Sequence, residues 1–369
     1  MVRILHLIET CGPGGAETVL LNIIKNLDPS KYYSTVGLLG DGWLTQQIRS
    51  HGIHHHIFKS HQSIDFKFLI DIVRFVKREN IQIIHSHLFD MNVYSCLAGF
   101  LTFVPVITTF HDTVNWAQSN NLSSLLKKYI LKNGATYYIA VSDYVKMLLT
   151  KKFTINANNI KTIYNGIDLN HFRCSKDKDE IRKRFGFQSS DILIAMVGNI
   201  RPAKGYEIFI QSIPEILDYY PHSKFLIVGE GKGSLLDSLI SLAAKLNVTN
   251  HVHFLGFQSE IKEILEMIDI FILSSISEGL SIATIEAMAM EKPVVVSKSG
   301  GPQEIVQDGV NGLLFENGNP ADLAKKVLFL LSNQSLSKTL GIKAKKTVAE
   351  RFSLDKMLLE YQSVYDLYR

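Results

Sequence analysis

Ile268-Asp269-Ile270-Phe271-Ile272-Leu273-Ser274 leads through Ser275-Ile276-Ser277 into Glu278-Gly279-Leu280-Ser281-Ile282-Ala283-Thr284-Ile285-Glu286-Ala287-Met288-Ala289. The opening run is apolar and of strand length, so it reads as a buried strand. After a short polar loop the chain becomes a helix that ends near Glu291, just ahead of a strand at Pro293-Val294-Val295-Val296. Strand, loop, helix, strand is the repeating unit of a parallel sheet, whose neighbouring strands need a crossover helix. Glu278 falls in the loop and Glu286 about two turns into the helix. The N–H groups of residues 280–283 open the helix without intrahelical partners, at its positive dipole end, which suits an anionic phosphate. Carboxylates on both sides of such a cradle can accept hydrogen bonds from sugar hydroxyls.

The same alternation runs outward from this stretch. Residues 3–8, 33–39, 81–85, 106–110 and 137–141 read as strands, with helical segments at residues 14–26 and 66–78 and Ser142 capping a further helix. A polar segment, residues 171–184, interrupts the cycle. It restarts with strands at residues 192–197, 224–228, 253–255, 269–273 and 293–297. The expected fold is α/β: two Rossmann-like, doubly wound parallel-sheet domains facing each other across a cleft. Residues 1–165 form the first, 166–183 a hinge, 184–350 the second, and 351–369 a C-terminal helix packing back toward the first.

Composition narrows the class. The 369 residues are 46% hydrophobic and 20% charged, as in a folded globular chain. Cys11, Cys96 and Cys174 lie far apart with no C-x-x-C spacing, which argues against a disulfide framework or zinc site and for a reducing cytosol. Residues 1–165 carry 16 Lys and Arg against 10 Asp and Glu, and the remainder 23 against 25. A basic first half suits an anionic partner such as a membrane surface. No basic run is interleaved with aromatics, so nucleic acid is not an expected partner.

No secretory leader is expected, because the apolar run at residues 2–8 stops at Glu9. Residues 91–110 lack Lys, Arg, Asp and Glu, but Asn92, Gly99 and Pro105 break them into a buried helix to about Phe103 and a strand from Val106. The amphipathic segments 66–78 and 122–131 are expected to pack on the first sheet, with an anionic membrane as the alternative. His51, His54, His55, His56 and His61 alternate with apolar residues as in a short strand, so they point to opposite faces and do not share an ion. Asp177-Lys178-Asp179 has the spacing of a metal-binding pair but reads as a solvated charge run.

Two glycine-rich loops follow first strands. Cys11-Gly12-Pro13-Gly14-Gly15-Ala16-Glu17 lets backbone approach a ligand closely, yet its spacing fits a dinucleotide fingerprint badly, with Glu17 where a third glycine belongs. Gly198-Asn199-Ile200-Arg201-Pro202-Ala203-Lys204-Gly205 carries two cations at a strand's carboxyl end. They suit the developing charge of a diphosphate leaving group.

These loops, with Val228-Gly229-Glu230-Gly231, Phe254-Leu255-Gly256-Phe257, the Glu278/Glu286 pair and Gly300-Gly301-Pro302-Gln303-Glu304, resemble retaining glycosyltransferase family 4, the group 1 enzymes of the GT-B fold. The likeness runs to about Leu331. It implies a metal-independent transferase without cofactor that moves a sugar from a nucleotide-diphosphate donor, UDP-sugar foremost, to a glycan or lipid-linked acceptor of a bacterial surface-polysaccharide pathway. By the same resemblance Glu286 holds the ribose, Glu278 the donor sugar, and Arg201 and Lys204 the diphosphate. Gly14, Gly15, Asn199, Gly279, Leu280 and Ser281 line the donor site, Gly229 and Phe257 frame the base, and His111 stands near the transferred sugar. Glu17, His85 and His87 are candidates to border the acceptor, the two histidines, which share a face at the end of a buried strand, reading equally as satisfied structural residues. Two positions depart from the family: Asn199 stands where an arginine commonly follows the glycine, and Ser281 stands where many relatives have proline. A nucleotide-sugar epimerase, a binding protein without transfer activity and an NAD oxidoreductase are the rival readings.

Overall fold

The computed structural model describes residues 1–59, 65–112, 122–173 and 177–368; His61 and Cys174 lie outside them. The chain divides into two units, residues 1–166 with 354–369, and residues 167–353.

The first unit is a seven-stranded sheet in the order β3-β2-β1-β4-β5-β6-β7. Its strands are β1 Val2–Ile8, β2 Tyr32–Leu38, β3 His55–Ile57, β4 Ile83–His87, β5 Val106–Phe110, β6 Tyr137–Ala140 and β7 Ile160–Thr162. Every pair is parallel, as crossover helices require. The second unit has six strands, β8 Ile192–Val197, β9 Ser223–Val228, β10 Val252–Gly256, β11 Ile270–Leu273, β12 Val294–Ser297 and β13 Leu313–Phe315, ordered β10-β9-β8-β11-β12-β13 and again parallel. In each sheet the winding reverses beside the first strand, between β1 and β4 and between β8 and β11. Loops leaving those strands at their carboxyl ends flank an opening where ligands of doubly wound sheets bind.

Most elements lie where the apolar pattern places them. Residues 91–110 split as expected into the helix Phe89–Thr102 and β5. Among the described residues no helix is long and apolar enough to cross a membrane. The helix Phe66–Arg78 begins where Asp65 accepts from the Phe68 N–H, and it buries Phe68, Ile72, Phe75 and Val76. Ser142 caps Asp143–Phe153 by accepting from the Val145 N–H.

Two elements differ from expectation. Strand β4 runs two residues further than the apolar run suggests, because Ser86 and His87, though polar, are buried, each with one hydrogen-bond partner inside the unit. Ser86 Oγ donates to Asn92 Oδ1 at 2.7 Å. The helix Leu122–Gly134 does not bury its apolar stripe against the sheet; only Leu131 is fully buried. It rests on the neighbouring helix Phe89–Thr102, with Lys127 Nζ 2.6 Å from Asp90 and Gly134 against Cys96. Leu122, Leu125, Leu126 and Tyr129 therefore remain 52–82% exposed.

Residues outside the two sheets are also anchored. The helix Leu354–Tyr365 belongs to the first unit, where Tyr365 reaches His85, and Tyr32 donates to Asp366 at 2.7 Å. Residues 167–183 belong to the second. There Asp177 caps the helix Lys178–Arg184, and buried Arg182 meets Asp269 at 2.7 Å and the carbonyls of Met267, Ser189 and Asp191. A buried guanidinium with this many acceptors is a fixed anchor, so the helical part of the expected hinge is packed structure.

Candidate functional site

In the second unit the loops after β8 and β11 are laced together across the reversal point. The Ile276 N–H donates to the Ala203 carbonyl at 2.8 Å, and Ser274 Oγ to the Gly205 carbonyl at 2.8 Å. Gly205 has φ +62°, and an added Cβ would lie 2.3 Å from the Ser274 carbonyl oxygen, so only glycine fits this contact. The lacing brings Lys204 Nζ to 2.7 Å from Glu278 Oε2, which also accepts from Ser275 Oγ at 3.0 Å. Both side chains of the pair stay partly accessible, at 22% and 16% exposure. An ion pair so placed offers a ligand one cation and one hydrogen-bond-accepting anion at the same opening.

Glu278 is aimed by its backbone. Its N–H donates to the Ser299 carbonyl and its carbonyl accepts from the Gly301 N–H, both at 3.1 Å. A Cβ on Gly301 would fall 1.7 Å from the Gly279 carbonyl oxygen, which explains the Gly300-Gly301 turn as a close backbone crossing. Ser281 caps the helix Ile282–Ala289, accepting from the Thr284 N–H. The serine that replaces the family's proline therefore preserves the helix start. Among the described residues the N–H groups of Leu280, Ile282 and Ala283 have no acceptor, leaving an anion-ready end.

Glu286 stands on that helix, half-buried and without a hydrogen-bond partner among the described residues. Desolvation pushes its pKa up to about 7. Hydroxyl donors from a ligand would restore the ionised form.

Arg201 is exposed and has no ion-pair partner among the described residues, so it is available to an anion. Asn199 and Gly229 have structural work: Asn199 Oδ1 accepts from the Glu230 N–H at 3.2 Å, and a Cβ on Gly229 would lie 2.0 Å from the Gly198 carbonyl oxygen. Phe257, just past β10, keeps 43% of its surface exposed. Tyr206, without a motif to flag it, is buried with its hydroxyl donating to the Gly198 carbonyl. Burial, then the charge of Glu278, raises its pKa.

In the first unit Gly14 caps the helix Gly15–Asn26 and Gly15 is exposed. Glu17, a candidate to border the acceptor, is only 6% exposed; it folds back over Gly14 and accepts from Thr10 Oγ1. His85 and His87 are 0% exposed and do not border an open surface. His85 Nε2 lies 2.8 Å from Thr109 Oγ1, and its Nδ1 2.8 Å from the Tyr365 hydroxyl. The buried extension of β4 takes these two histidines inside. One ring nitrogen from each of His6, His85 and His87 falls within 4.8 Å of the others. Both His85 ring nitrogens are already engaged, by Thr109 and Tyr365, so an ion there would displace one of these hydrogen bonds, and the cluster is not assigned as a metal centre.

His111, one residue past β5, is half-buried, and its Nε2 is 2.9 Å from His87 Nδ1. Burial pulls its pKa down to about 3. Glu9, just past β1, accepts the Met91 N–H at 3.1 Å. Desolvation, then the charge of Asp90, raises it to about 7 against the pull of backbone N–H groups. No spacing pattern marks Glu9; only the sheet order places it at the opening beside β4.

The description Glycosyl transferases group 1 matches residues 177–347, and Glycosyltransferase Family 4 matches residues 13–171. An uncharacterised glycosyltransferase of Methanocaldococcus jannaschii is 29% identical over 374 residues, covering 93% of this chain and 98% of its own. The UDP-Gal:alpha-D-GlcNAc-diphosphoundecaprenol alpha-1,3-galactosyltransferase of Escherichia coli is 25% identical over 308 residues, 82% of this chain and 79% of its own. Among solved structures, Anabaena HepE in complex with UDP-glucose superposes with a TM-score of 0.90 at 24% identity, over 99% of this chain and 100% of that one. That likeness is one of backbone fold.

Proposed function

Since the chain belongs to the group 1 glycosyltransferases and has the GT-B fold, we propose that it moves a sugar from a UDP-sugar to a hydroxyl acceptor with retention of anomeric configuration. The observation that carries this reading is the Lys204–Glu278 pair at the reversal point of the second sheet, beside helix N–H groups that lack acceptors. Lys204 and Arg201 neutralise the diphosphate as its charge develops, and the N–H groups of Ile282 and Ala283 receive phosphate oxygens. These positive groups take the place of a divalent ion, so the transferase needs no metal. Glu286 accepts the ribose hydroxyls, Glu278 the sugar's hydroxyls, and His111 contacts the transferred sugar.

Among the described residues no carboxylate is assigned as a covalent nucleophile. The acceptor oxygen bonds to the anomeric carbon as the carbon–phosphate oxygen bond breaks. The acceptor's proton passes to the departing phosphate oxygen on the same face. HepE's UDP-glucose complex supports UDP as the nucleotide, and the substrate in the E. coli relative's name supports a lipid-linked acceptor. The exposed stripe Leu122, Leu125, Leu126 and Tyr129, with Lys128 beside it, suits peripheral contact with an anionic membrane.

Calorimetry against UDP-, GDP- and ADP-sugars and NAD tests the donor assignment. UDP-sugars are expected to bind most tightly, and binding of NAD alone would overturn it. Conversion of donor without acceptor would favour the epimerase. The pH dependence has a definite sign. Ribose hydroxyls favour ionised Glu286, so binding releases a proton, and affinity rises about tenfold from pH 6 to 8 if only the ionised form binds. Glu286→Gln should bind weakly and lose this slope; a slope retained in that variant would assign it to another group.

A further inference from the structure

Four histidines crowd the carboxyl end of the first sheet: His6 on β1, His85 and His87 on β4, and His111 past β5. Burial pulls all four below the ordinary imidazole range, so each is neutral and carries one N–H and one bare nitrogen. The other ionisable groups near them are Tyr361 and Tyr365, kept neutral by burial, and the carboxyls of Glu9, Asp90 and Asp112 at the strand ends.

Across the 2.9 Å contact of His87 Nδ1 with His111 Nε2, one nitrogen must donate and the other accept. The deciding atom is His87 Nε2, which is buried with no partner among the described residues. If His87 carried its proton there, a buried donor would be stranded and the proton needed for the contact would have to come from His111. With the proton on Nδ1, the donor is used and only a lone pair goes unmatched. Stranded buried N–H groups are the rarer defect. His6 repeats the pattern: its Nδ1 is buried without a partner among the described residues while its Nε2 meets Ser34 Oγ at 3.2 Å.

We infer that His87 is a positioning residue: its Nδ1–H donates to His111 Nε2 and holds His111 in the Nδ1–H tautomer, so that His111 offers the transferred sugar a hydrogen-bond donor and does not act as a base. The inference rests on the reading of His111 as a sugar contact. It deepens the proposed chemistry, because a His111 whose Nε2 is engaged and whose Nδ1 is already protonated cannot take the acceptor's proton. That takes His111 out of the proton's route and agrees with the departing phosphate oxygen as its destination.

Nitrogen NMR of the full chain labelled in its histidine rings, from pH 5.5 to 8.5, reads the tautomer directly, with His111→Gln supplying the assignment. The expected result is a protonated-type Nδ1 and a bare-type Nε2 for His111, both unchanged across the range. The opposite tautomer, or a titration within it, would overturn the inference. The measurement needs neither donor nor turnover, so it fails independently of the site reading, which would fail by normal transfer in His111→Ala. Two variants add a kinetic test. His87→Phe keeps a ring but no donor, and should lower kcat about tenfold to hundredfold with little change in donor KM. His87→Asn, whose amide can donate from nearly the same place, should recover most of that loss. Wild-type kcat in the Phe variant, or no recovery in the Asn variant beside an unchanged tautomer, would contradict the role; if the Phe variant does not fold, the wild-type spectrum still decides.

Discussion

Lys204→Met is expected to lower kcat by about 10²–10³-fold while raising the donor's KM much less. The methionine keeps the aliphatic packing over Gly198, where the Lys204 chain passes 3.4 Å from the place a Cβ would occupy, and removes only the charge. That charge matters most when the anomeric bond breaks, because the leaving diphosphate then gains a negative charge that the ground state lacks. An interaction stronger in the transition state appears in kcat. The fold should survive: a partly exposed ion pair contributes little to stability, about 0–1 kcal/mol. Steady-state kinetics with a thermal melt separate the two effects. A kcat within threefold of wild type, with the melt unchanged, would remove Lys204 from the mechanism.

Glu278→Ala should cost about 10²-fold in kcat for a different reason. The carboxylate sits at the opening by virtue of its backbone pairing with the Ser299–Gly301 segment, and its Oε2 is shared by Lys204 and Ser275. Removing it withdraws an acceptor from the sugar and frees Lys204 to wander. Glu278→Gln keeps the shape and one acceptor, so it should lose less. Because the two side chains touch, the double variant Lys204→Met/Glu278→Ala should fall short of the product of the single losses. Full multiplicativity would mean that the pair does not act as a unit.

The sequence announces much of this site and hides a definite part of it. The strand-loop-helix around Glu278 and Glu286, the serine cap at residue 281 and both cationic positions are legible because local pattern determines them. The contacts that make them a site are not. Lys204 and Glu278 meet across 74 residues, and the backbone crossing of Gly301 on Gly279 shows only once β11 and β12 are neighbours. His85 and His87 stay open in the sequence for a related reason. Their spacing shows a shared face at a strand end but not the partners from β5 and from Leu354–Tyr365 that satisfy His85 inside the unit. The helix Leu122–Gly134 misleads, since its apolar spacing predicts a buried stripe, whereas only Leu131 is fully buried.

The structure of the chain with an intact UDP-sugar tests the central claim most directly. Phosphate oxygens are expected at about 3 Å from Lys204 Nζ and from the N–H groups of Ile282 and Ala283, with the ribose hydroxyls on Glu286 and the sugar on Glu278. A nucleotide bound away from the β8 and β11 loops, with the Lys204–Glu278 pair undisturbed and touching nothing, would contradict it.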